Sequence, residues 1–542
     1  MNLPLTPIRF LRYARDQFPN RTAIVCDDQR FTYRQFAERS ARLSSAIVSM
    51  GARPGDTIAF LSTNCHRLLE AYYGVLEAGC VLLPLNIRMS PSDLVYVLKD
   101  AGTRFLFLES RFLALLPHFR QAVRNVEKYV LLDGHREVEG VPPDNYEDLL
   151  ARSAPTECDY TKTDENAVAE MFYTSGTSDH PKGVLLTHRN VYLHALNLIV
   201  ATQTSPRTIG CCSCTAVQLH TIPLFHANGW GAAHTTTIVG GTHVMIHQFD
   251  PEQVFRIIER ERVQGCCLVP AMAVALIHST VRQKYDLSSL KSVIFGGAAV
   301  SPLIVQQLQQ SLGCVSFSGY GLTETSPVLA LSPLKAGIDL ATEQQHIQQA
   351  KTGYAIPGVE LRVVDHNGRD VPPDGQTMGE IIARGDGIMS GYWHQPEATA
   401  SALRDGWFHT SDLAILDASN YLHIVDRQKD IIVSGGENIS SLEVENALLS
   451  HPGVLEAAVI PVPDARWGEV PRAVVAMKPG IYASEDEMLE FCRSRLAHYK
   501  CPRLIDFVDT LPKNGLGKVL KYELRKKYWP ATISASCQSW LH

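Results

Sequence analysis

The stretch Tyr173-Thr-Ser-Gly-Thr-Ser-Asp-His-Pro-Lys-Gly183 decides the reading of this chain. It gathers the hydroxyls of Thr174, Ser175, Thr177 and Ser178 with Gly176, Gly183 and Lys182. Ala167-Val-Ala-Glu-Met-Phe172 ahead of it reads as a buried strand, and Val184-Leu-Leu-Thr-His188 after it as a second apolar strand. A loop of small hydroxyl residues and glycine lets backbone N–H and side-chain O–H groups converge on an anion. Lys182 adds a mobile positive charge. The composition therefore predicts a polyphosphate cradle. It is not a Walker A loop, because that pattern ends in Gly-Lys and position 181 is Pro. A polar hairpin without function is the plain alternative, and the density of hydroxyls before Pro-Lys-Gly argues against it.

The chain has 542 residues, 45% hydrophobic and 20% charged, room for about three or four domain-sized units. A net charge of −6 and a pI near 6.4 argue against nucleic acid as the main partner. No apolar run approaches the roughly 20 residues of a membrane helix, and Leu268 to Ile277 is interrupted by Pro270. No transmembrane anchor is expected. Ile8, Leu11, Ala14 and Phe18 stand at helical spacing, not in a secretory signal. The 13 cysteines, an odd number scattered along the chain, fit reduced thiols in a cytoplasmic protein. The Cys211, Cys212, Cys214 cluster and the Cys266-Cys267 pair lack the spaced pairs of a zinc site.

Residues 20 to 165 alternate strand and helix patterns, with strands at Thr57–Leu61 and Cys80–Pro84 around a helix at His66–Glu77. The rhythm returns at Val244–Ile246, Cys267–Val269 and Ser292–Phe295, each followed by a helical stretch. This is the pattern of parallel sheet with helical crossovers. Between 352 and 425 the strands shorten, at Val359–Val364, Gly379–Ala383 and Tyr421–Val425, as in a small barrel. From about 427 an α+β unit is expected: a helix at Leu442–Leu449, strands at Val454–Ile460 and Arg472–Met477, a helix from a Ser484/Glu487 capping box to His498, and a last helix at Leu520–Tyr528.

Further motifs recur along the chain: Pro223-Leu-Phe-His-Ala-Asn-Gly-Trp230, Gly296-Gly-Ala-Ala299, Ser318-Gly-Tyr-Gly-Leu-Thr-Glu-Thr325, Gly406-Trp-Phe-His-Thr-Ser-Asp412, Asp426-Arg-Gln-Lys-Asp430, Gly435-Gly-Glu-Asn-Ile439 and Leu511-Pro-Lys-Asn-Gly-Leu-Gly-Lys518. With the loop at 173–183, they resemble in kind and order the adenylate-forming enzymes: acyl- and aryl-CoA synthetases, peptide-synthetase adenylation domains and beetle luciferases. The resemblance runs from about residue 8 to 528. It implies a large α/β domain of two sheet layers plus a small barrel over 1–426, and a small mobile α+β domain over 427–542.

The resemblance also implies roles. Thr174, Ser175, Gly176, Thr177, Ser178 and Lys182 hold ATP phosphates, Thr177 within the catalytic set. Gly297 and Ala298 face adenine, Tyr320 stacks on it, Thr323 binds the α-phosphate and Glu324 holds Mg²⁺. Asp412 and Arg427 bind ribose. Lys429 is the hinge, and Gly435 and Gly436 line the coenzyme A tunnel. Lys518 is the catalytic lysine of adenylation. His226 gates the acyl pocket, which Trp230 lines. The expected activity is ATP-dependent ligation of a small, medium-chain or aryl carboxylic acid to CoA through an acyl-adenylate. A stand-alone adenylation enzyme loading a carrier protein is the alternative, with a luciferase-like monooxygenase and a non-catalytic nucleotide scaffold behind it. The class is compatible with a homodimer.

One position departs from the pattern. The family loop carries Gly where this chain has Asp179. A like-charge contact at about 4 Å costs about 1 kcal/mol in water and about 4 kcal/mol at an effective dielectric of 20. The departure bears on the strength of ATP binding, not on the class of chemistry.

Overall fold

The computed structural model describes residues 2–134, 144–174, 180–203, 216–335, 341–435, 437–464, 466–513 and 519–528, and only the backbone of Ala227, Asn228 and Trp230. Ser175, Gly176, Thr177, Ser178, Asp179, Gly436, Lys518 and the Cys211, Cys212, Cys214 cluster lie outside the described residues. The chain divides into two compact units, Met1–Leu361 with Ala383–His409 and Arg362–Ile382 with Thr410–His542. The chain passes from one unit to the other within strands Val359–Val364, Gly379–Gly385 and Trp407–Leu416.

The first unit holds two large sheets. In the eight-stranded one the order is Gly391–Tyr392, Lys182–Thr187, Val168–Thr174, Val81–Pro84, Thr57–Leu61, Phe105–Leu108, Lys128–Leu131 and Asp144–Asn145. Strands Thr57–Leu61, Val81–Pro84 and Phe105–Leu108 are buried at every position. That is why they read as continuous apolar runs: helices cover both faces of a parallel sheet. The helix expected at His66–Glu77 forms over those bounds, and all but Arg67 of its residues are buried.

The nine-stranded sheet runs Tyr354–Ala355, Ala330–Leu331, Val315–Tyr320, Ser292–Phe295, Gly265–Leu268, Val217–His220, Thr242–Met245, Thr22–Cys26 and Gln29–Thr32. Its six strands from Val315–Tyr320 to Thr22–Cys26 are parallel. Crossover helices pack by the expected rules. In Pro251–Glu261, Asp250 accepts from the Gln253 N–H at 2.8 Å, and Val254, Phe255, Ile257 and Ile258 are buried. Each such side chain contributes about 1.5–3 kcal/mol of hydrophobic free energy.

Strands Val359–Val364, Gly379–Gly385, Leu403–Arg404, Trp407–Leu416 and Leu422–Arg427 form a five-stranded sheet. The second unit also carries strands Ile432–Ser434, Glu437–Ile439, Val454–Asp464, Gly468–Met477 and Leu504–Phe507, with helices Ser441–Leu449, Glu485–Arg493 and Lys521–Tyr528. The helix after Ser484 is shorter than expected. The N–H groups of Arg495 and Leu496 both turn back to the Cys492 carbonyl, and Cys501, directly before Pro502, is extended. Lys521 in the last helix is largely buried and pairs with Glu445 at 2.7 Å.

Candidate active site

Strands Val168–Thr174 and Lys182–Thr187 are antiparallel, with Thr174 opposite Lys182 and Tyr173 opposite Gly183. The strands on either side of the hydroxyl-rich segment are therefore paired, with Thr174 and Lys182 at its two ends. Three contacts fix those ends. The Tyr173 hydroxyl donates to the Asp100 carboxylate at 2.6 Å, and the Trp393 indole N–H to the Asp100 carbonyl at 2.8 Å. His180 stacks on Tyr96 with ring centroids 4.5 Å apart. At Gly183, a Cβ would stand 3.1 Å from the Tyr173 ring and 3.2 Å from the Trp393 Cβ, so glycine lets these elements close up.

The two-residue strand Gly391–Tyr392 pairs with this hairpin, Tyr392 opposite Val184. Its hydroxyl donates to Glu324 Oε1 at 2.9 Å, and the Lys182 ammonium stands 5.3 Å from its ring centroid. Burial and the Glu324 charge push the phenol's pKa well up, so it remains a neutral donor. Lys182 and Glu324 are thus brought together around one aromatic ring, by a cation–π contact and a charge-assisted hydrogen bond.

Glu324 is buried in the single turn Thr323–Thr325 that follows strand Val315–Tyr320. The Thr325 hydroxyl donates to the Pro327 carbonyl at 2.8 Å, and the Met389 N–H donates to the Glu324 carbonyl at 2.8 Å. A Cβ on Gly321 would fall 1.8 Å from the Pro327 oxygen, so this turn requires glycine. Tyr392 was not anticipated from sequence. The one local signal was an aromatic pair, Tyr392-Trp393, directly after a glycine.

Gly297 and Ala298 follow strand Ser292–Phe295 and are exposed, Gly297 at φ 80°. Tyr320 ends the neighbouring parallel strand, in which Ser318 lies opposite Phe295. His226 follows strand Val217–His220 as the N-cap of helix Ala227–Ile238. All these residues stand at or beyond the carboxyl ends of parallel strands. Chain direction also switches here. Val217–His220 leads on to Thr242–Met245 on one side, while its other neighbour, Gly265–Leu268, leads to Ser292–Phe295 on the far side. Open α/β sheets bind ligands at such a switch point. His234 on the same helix meets Glu170 at 2.8 Å, both buried, tying the helix to the strand that carries Thr174.

The second unit holds the other predicted groups. Asp412 and Arg427 lie opposite each other on antiparallel strands, 3.3 Å between Oδ1 and Nε, with Asp412 buried. Lys429 sits in the next turn, where burial lowers its pKa. Arg525 donates to the Lys429 carbonyl at 3.0 Å and pairs with Asp430. Gly435, at φ 60°, has a backbone reason to be glycine: a Cβ would stand 2.7 Å from the Trp467 ring.

The AMP-binding enzyme family matches residues 11–393, and the AMP-binding enzyme C-terminal domain matches residues 443–518. This chain belongs to the AMP-binding enzymes. Among its relatives is 4-hydroxybutyrate–CoA ligase 2 of Metallosphaera sedula, 34% identical over 96% of this chain and 94% of that protein. A feruloyl-CoA synthase of Amycolatopsis sp is 36% identical over 96% and 98%. The crystal structure of ATP-bound MatB from Rhodopseudomonas palustris superposes with a TM-score of 0.83 at 27% identity, covering 96% of this chain and 99% of that one. The AMP-binding enzyme described here is accordingly an acid–thiol ligase of the AMP-forming class, with the large and small α/β parts of that fold. No helix among the described residues is long and apolar enough to cross a membrane.

Proposed function

We propose that this AMP-binding enzyme activates a small, medium-chain or aryl carboxylic acid and passes it to coenzyme A. The reading rests on one arrangement, Lys182 and Glu324 around Tyr392 at the end of the hydroxyl-rich segment. In the first half-reaction a carboxylate oxygen attacks the α-phosphorus of ATP. The bond to the β-phosphate's bridging oxygen breaks, and pyrophosphate leaves an acyl-adenylate. In the second, the thiol of coenzyme A gives up its proton and its sulfur attacks the acyl carbon. AMP departs and a thioester remains.

Negative charge shifts among the phosphate oxygens in the first step, so fixed donors and cations lower its barrier. Thr174, Ser175, Gly176, Thr177, Ser178 and Lys182 take the polyphosphate, Thr323 takes the α-phosphate, and Lys518 bridges it to the substrate carboxylate. Gly297, Ala298 and Tyr320 receive adenine, and Asp412 and Arg427 the ribose. Glu324 suits Mg²⁺: its carboxylate is buried, aimed by Tyr392, and a hard oxygen donor. When bound, that ion neutralises phosphate charge. His226 and Trp230 border the acid, and Gly435 and Gly436 the pantetheine arm. Residues 427–542 turn about Lys429 between half-reactions, relative to 1–426. The two relatives' acids, 4-hydroxybutyrate and ferulate, support the substrate range. The nine described cysteines are free thiols, which supports a cytoplasmic setting.

The test is pyrophosphate release and thioester formation over a panel of short-chain, medium-chain and aryl acids, with and without coenzyme A. CoA-dependent thioester from one acid class is expected. Adenylate that moves only to a carrier-protein thiol would replace coenzyme A as acceptor. No release with any acid would sink the proposal.

A further inference from the structure

A second group of chemically able side chains sits on the same carboxyl edge of the nine-stranded sheet, away from the adenylation motifs. Strands Thr22–Cys26 and Thr242–Met245 are parallel neighbours, with Cys26 opposite Met245. Cys26 ends the first strand, Asp27 follows it, and His247 lies just past the second. The topology thus delivers a thiol, a carboxylate and an imidazole to one point. One ligand atom of each lies within 4.8 Å of the other two. Cys26 is 3% exposed, while the side chains of Asp27 and His247 are 64% and 34% exposed. The carboxylate and the imidazole are thus open to solvent, and the thiol is not.

The hydrogen bonds around His247 fix which ring nitrogen is available. Glu109 Oε1 accepts from the Ser62 hydroxyl at 2.8 Å, the Thr63 N–H at 2.8 Å and the Thr63 hydroxyl at 2.7 Å. The single proton of that hydroxyl is therefore committed to Glu109. His247 Nδ1, 2.9 Å from the same oxygen, must then be a donor. A neutral ring so held presents an Nε2 lone pair, and this atom faces the Asp27 carboxylate at 2.8 Å. A lone pair against a carboxylate oxygen is repulsive until a cation stands between them. A proton between the two atoms makes an ordinary ion pair; a metal ion in its place would also engage the adjacent thiol.

We propose that Cys26, Asp27 and His247 form a binding site for a divalent transition-metal ion of the zinc class, with a fourth position open to water. Zinc bonds of about 2.0–2.3 Å place ligand atoms roughly 3.3–3.6 Å apart, so the His247–Asp27 gap opens by about half an ångström. Thiolate and imidazole favour zinc or cobalt over magnesium or calcium. Thr63 and Glu109 supply the outer hydrogen bonds that orient a ligating histidine. Binding sends the thiol proton to solvent and leaves Sγ as the thiolate. The nearby cation Arg67 does not oppose this freely, since Glu147 holds it at 3.0 Å. Sequence spacing gives no hint of the site, because its ligands come from two strands far apart in the chain.

The experiment titrates Co²⁺ into the chelator-treated full chain without nucleotide, then competes with Zn²⁺. About one equivalent of Co²⁺ should bind with a thiolate-to-cobalt charge-transfer band that Zn²⁺ abolishes. Cys26→Ser should remove the band, and His247→Gln should weaken binding by about tenfold or more. No band at saturating Co²⁺ overturns the proposal. So does a band that survives Cys26→Ser, as it would if Cys211, Cys212 and Cys214 held the ion. Should Cys26→Ser fail to fold, unchanged affinity in the half-exposed His247→Gln variant overturns it equally.

Discussion

His220 Nε2 donates to His243 Nδ1 at 3.0 Å, and the direction of that bond follows from its neighbours. The Thr237 hydroxyl gives its one proton to the Ala233 carbonyl at 2.8 Å. It can only accept from His243 Nε2, 3.0 Å away, which leaves His243 Nδ1 as the acceptor. Both rings are buried and neutral, one in strand Val217–His220 and one in strand Thr242–Met245.

That pairing makes the fold acid-sensitive. Burial lowers His220 to about 4, His188 to about 4 and His194 to about 3, and takes His243 well down. The unfolded chain binds protons at these sites as pH falls through about 6.5, whereas the folded chain does not. Stability is therefore full above pH 6.5 and lost progressively toward pH 4. A shift of two units or more corresponds to about 3 kcal/mol per histidine. Urea unfolding from pH 7.5 to 4.5 should show the midpoint dropping steeply below 6.5. His220→Gln keeps a donor for His243 without the titration, and should flatten that slope. A flat profile in the wild type would contradict neutral burial.

The Tyr392 contact with Glu324 offers a separate test. Tyr392→Phe keeps the ring beside Lys182 and removes the hydrogen bond. Bonds to charged groups are worth about 1.5–3 kcal/mol, so acid-dependent pyrophosphate release should fall roughly ten- to a hundredfold in kcat/KM. Tyr392→Leu, which also loses the cation–π contact, should fall further. Wild-type kinetics in Tyr392→Phe would show that Glu324 is aimed by other groups.

Two lysines should separate the half-reactions. Lys518→Ala should cut pyrophosphate release by orders of magnitude yet still convert supplied acyl-adenylate to thioester. Lys429→Pro fixes φ in the turn proposed as the hinge. It should spare adenylation and block thioester formation. Equal losses in both half-reactions for Lys518→Ala, or none for Lys429→Pro, would remove the two-role picture.

What the sequence made legible was periodic or locally dense. The helix His66–Glu77 and strand Ser292–Phe295 were expected over their observed bounds, because burial pattern and flanking turns are local properties. The hairpin at 173–183 stood out because its hydroxyls, glycines and lysine are contiguous. Tyr392 was not legible: it reaches Glu324 across 68 residues of chain, and only the sheet register at Val184 brings it there. The Lys521 pairing was not legible for a related reason. Its helix looks like a solvated basic face, and the partner that buries it, Glu445, sits on another helix. The overlong expectation after Ser484 came from reading a start signal without the turn at Cys492 that stops it.

Asp179 gives the last prediction, drawn from sequence because the residue lies outside the described ones. It sets a carboxylate in a loop whose other members favour an anion. The residues that flank the loop are fixed, Thr174 opposite Lys182 and His180 against Tyr96. Asp179→Gly removes that charge and restores backbone freedom. A relief of about 1 kcal/mol lowers the KM for ATP roughly fivefold at low ionic strength. The gain should shrink as salt rises, since screening acts on partly exposed charges over about 10 Å at 0.1 M. The measurement is the ATP dependence of pyrophosphate release at low and high salt for both proteins. An unchanged constant at low salt would mean that Asp179 points away from the phosphates and that this loop binds nucleotide as strongly as one carrying glycine.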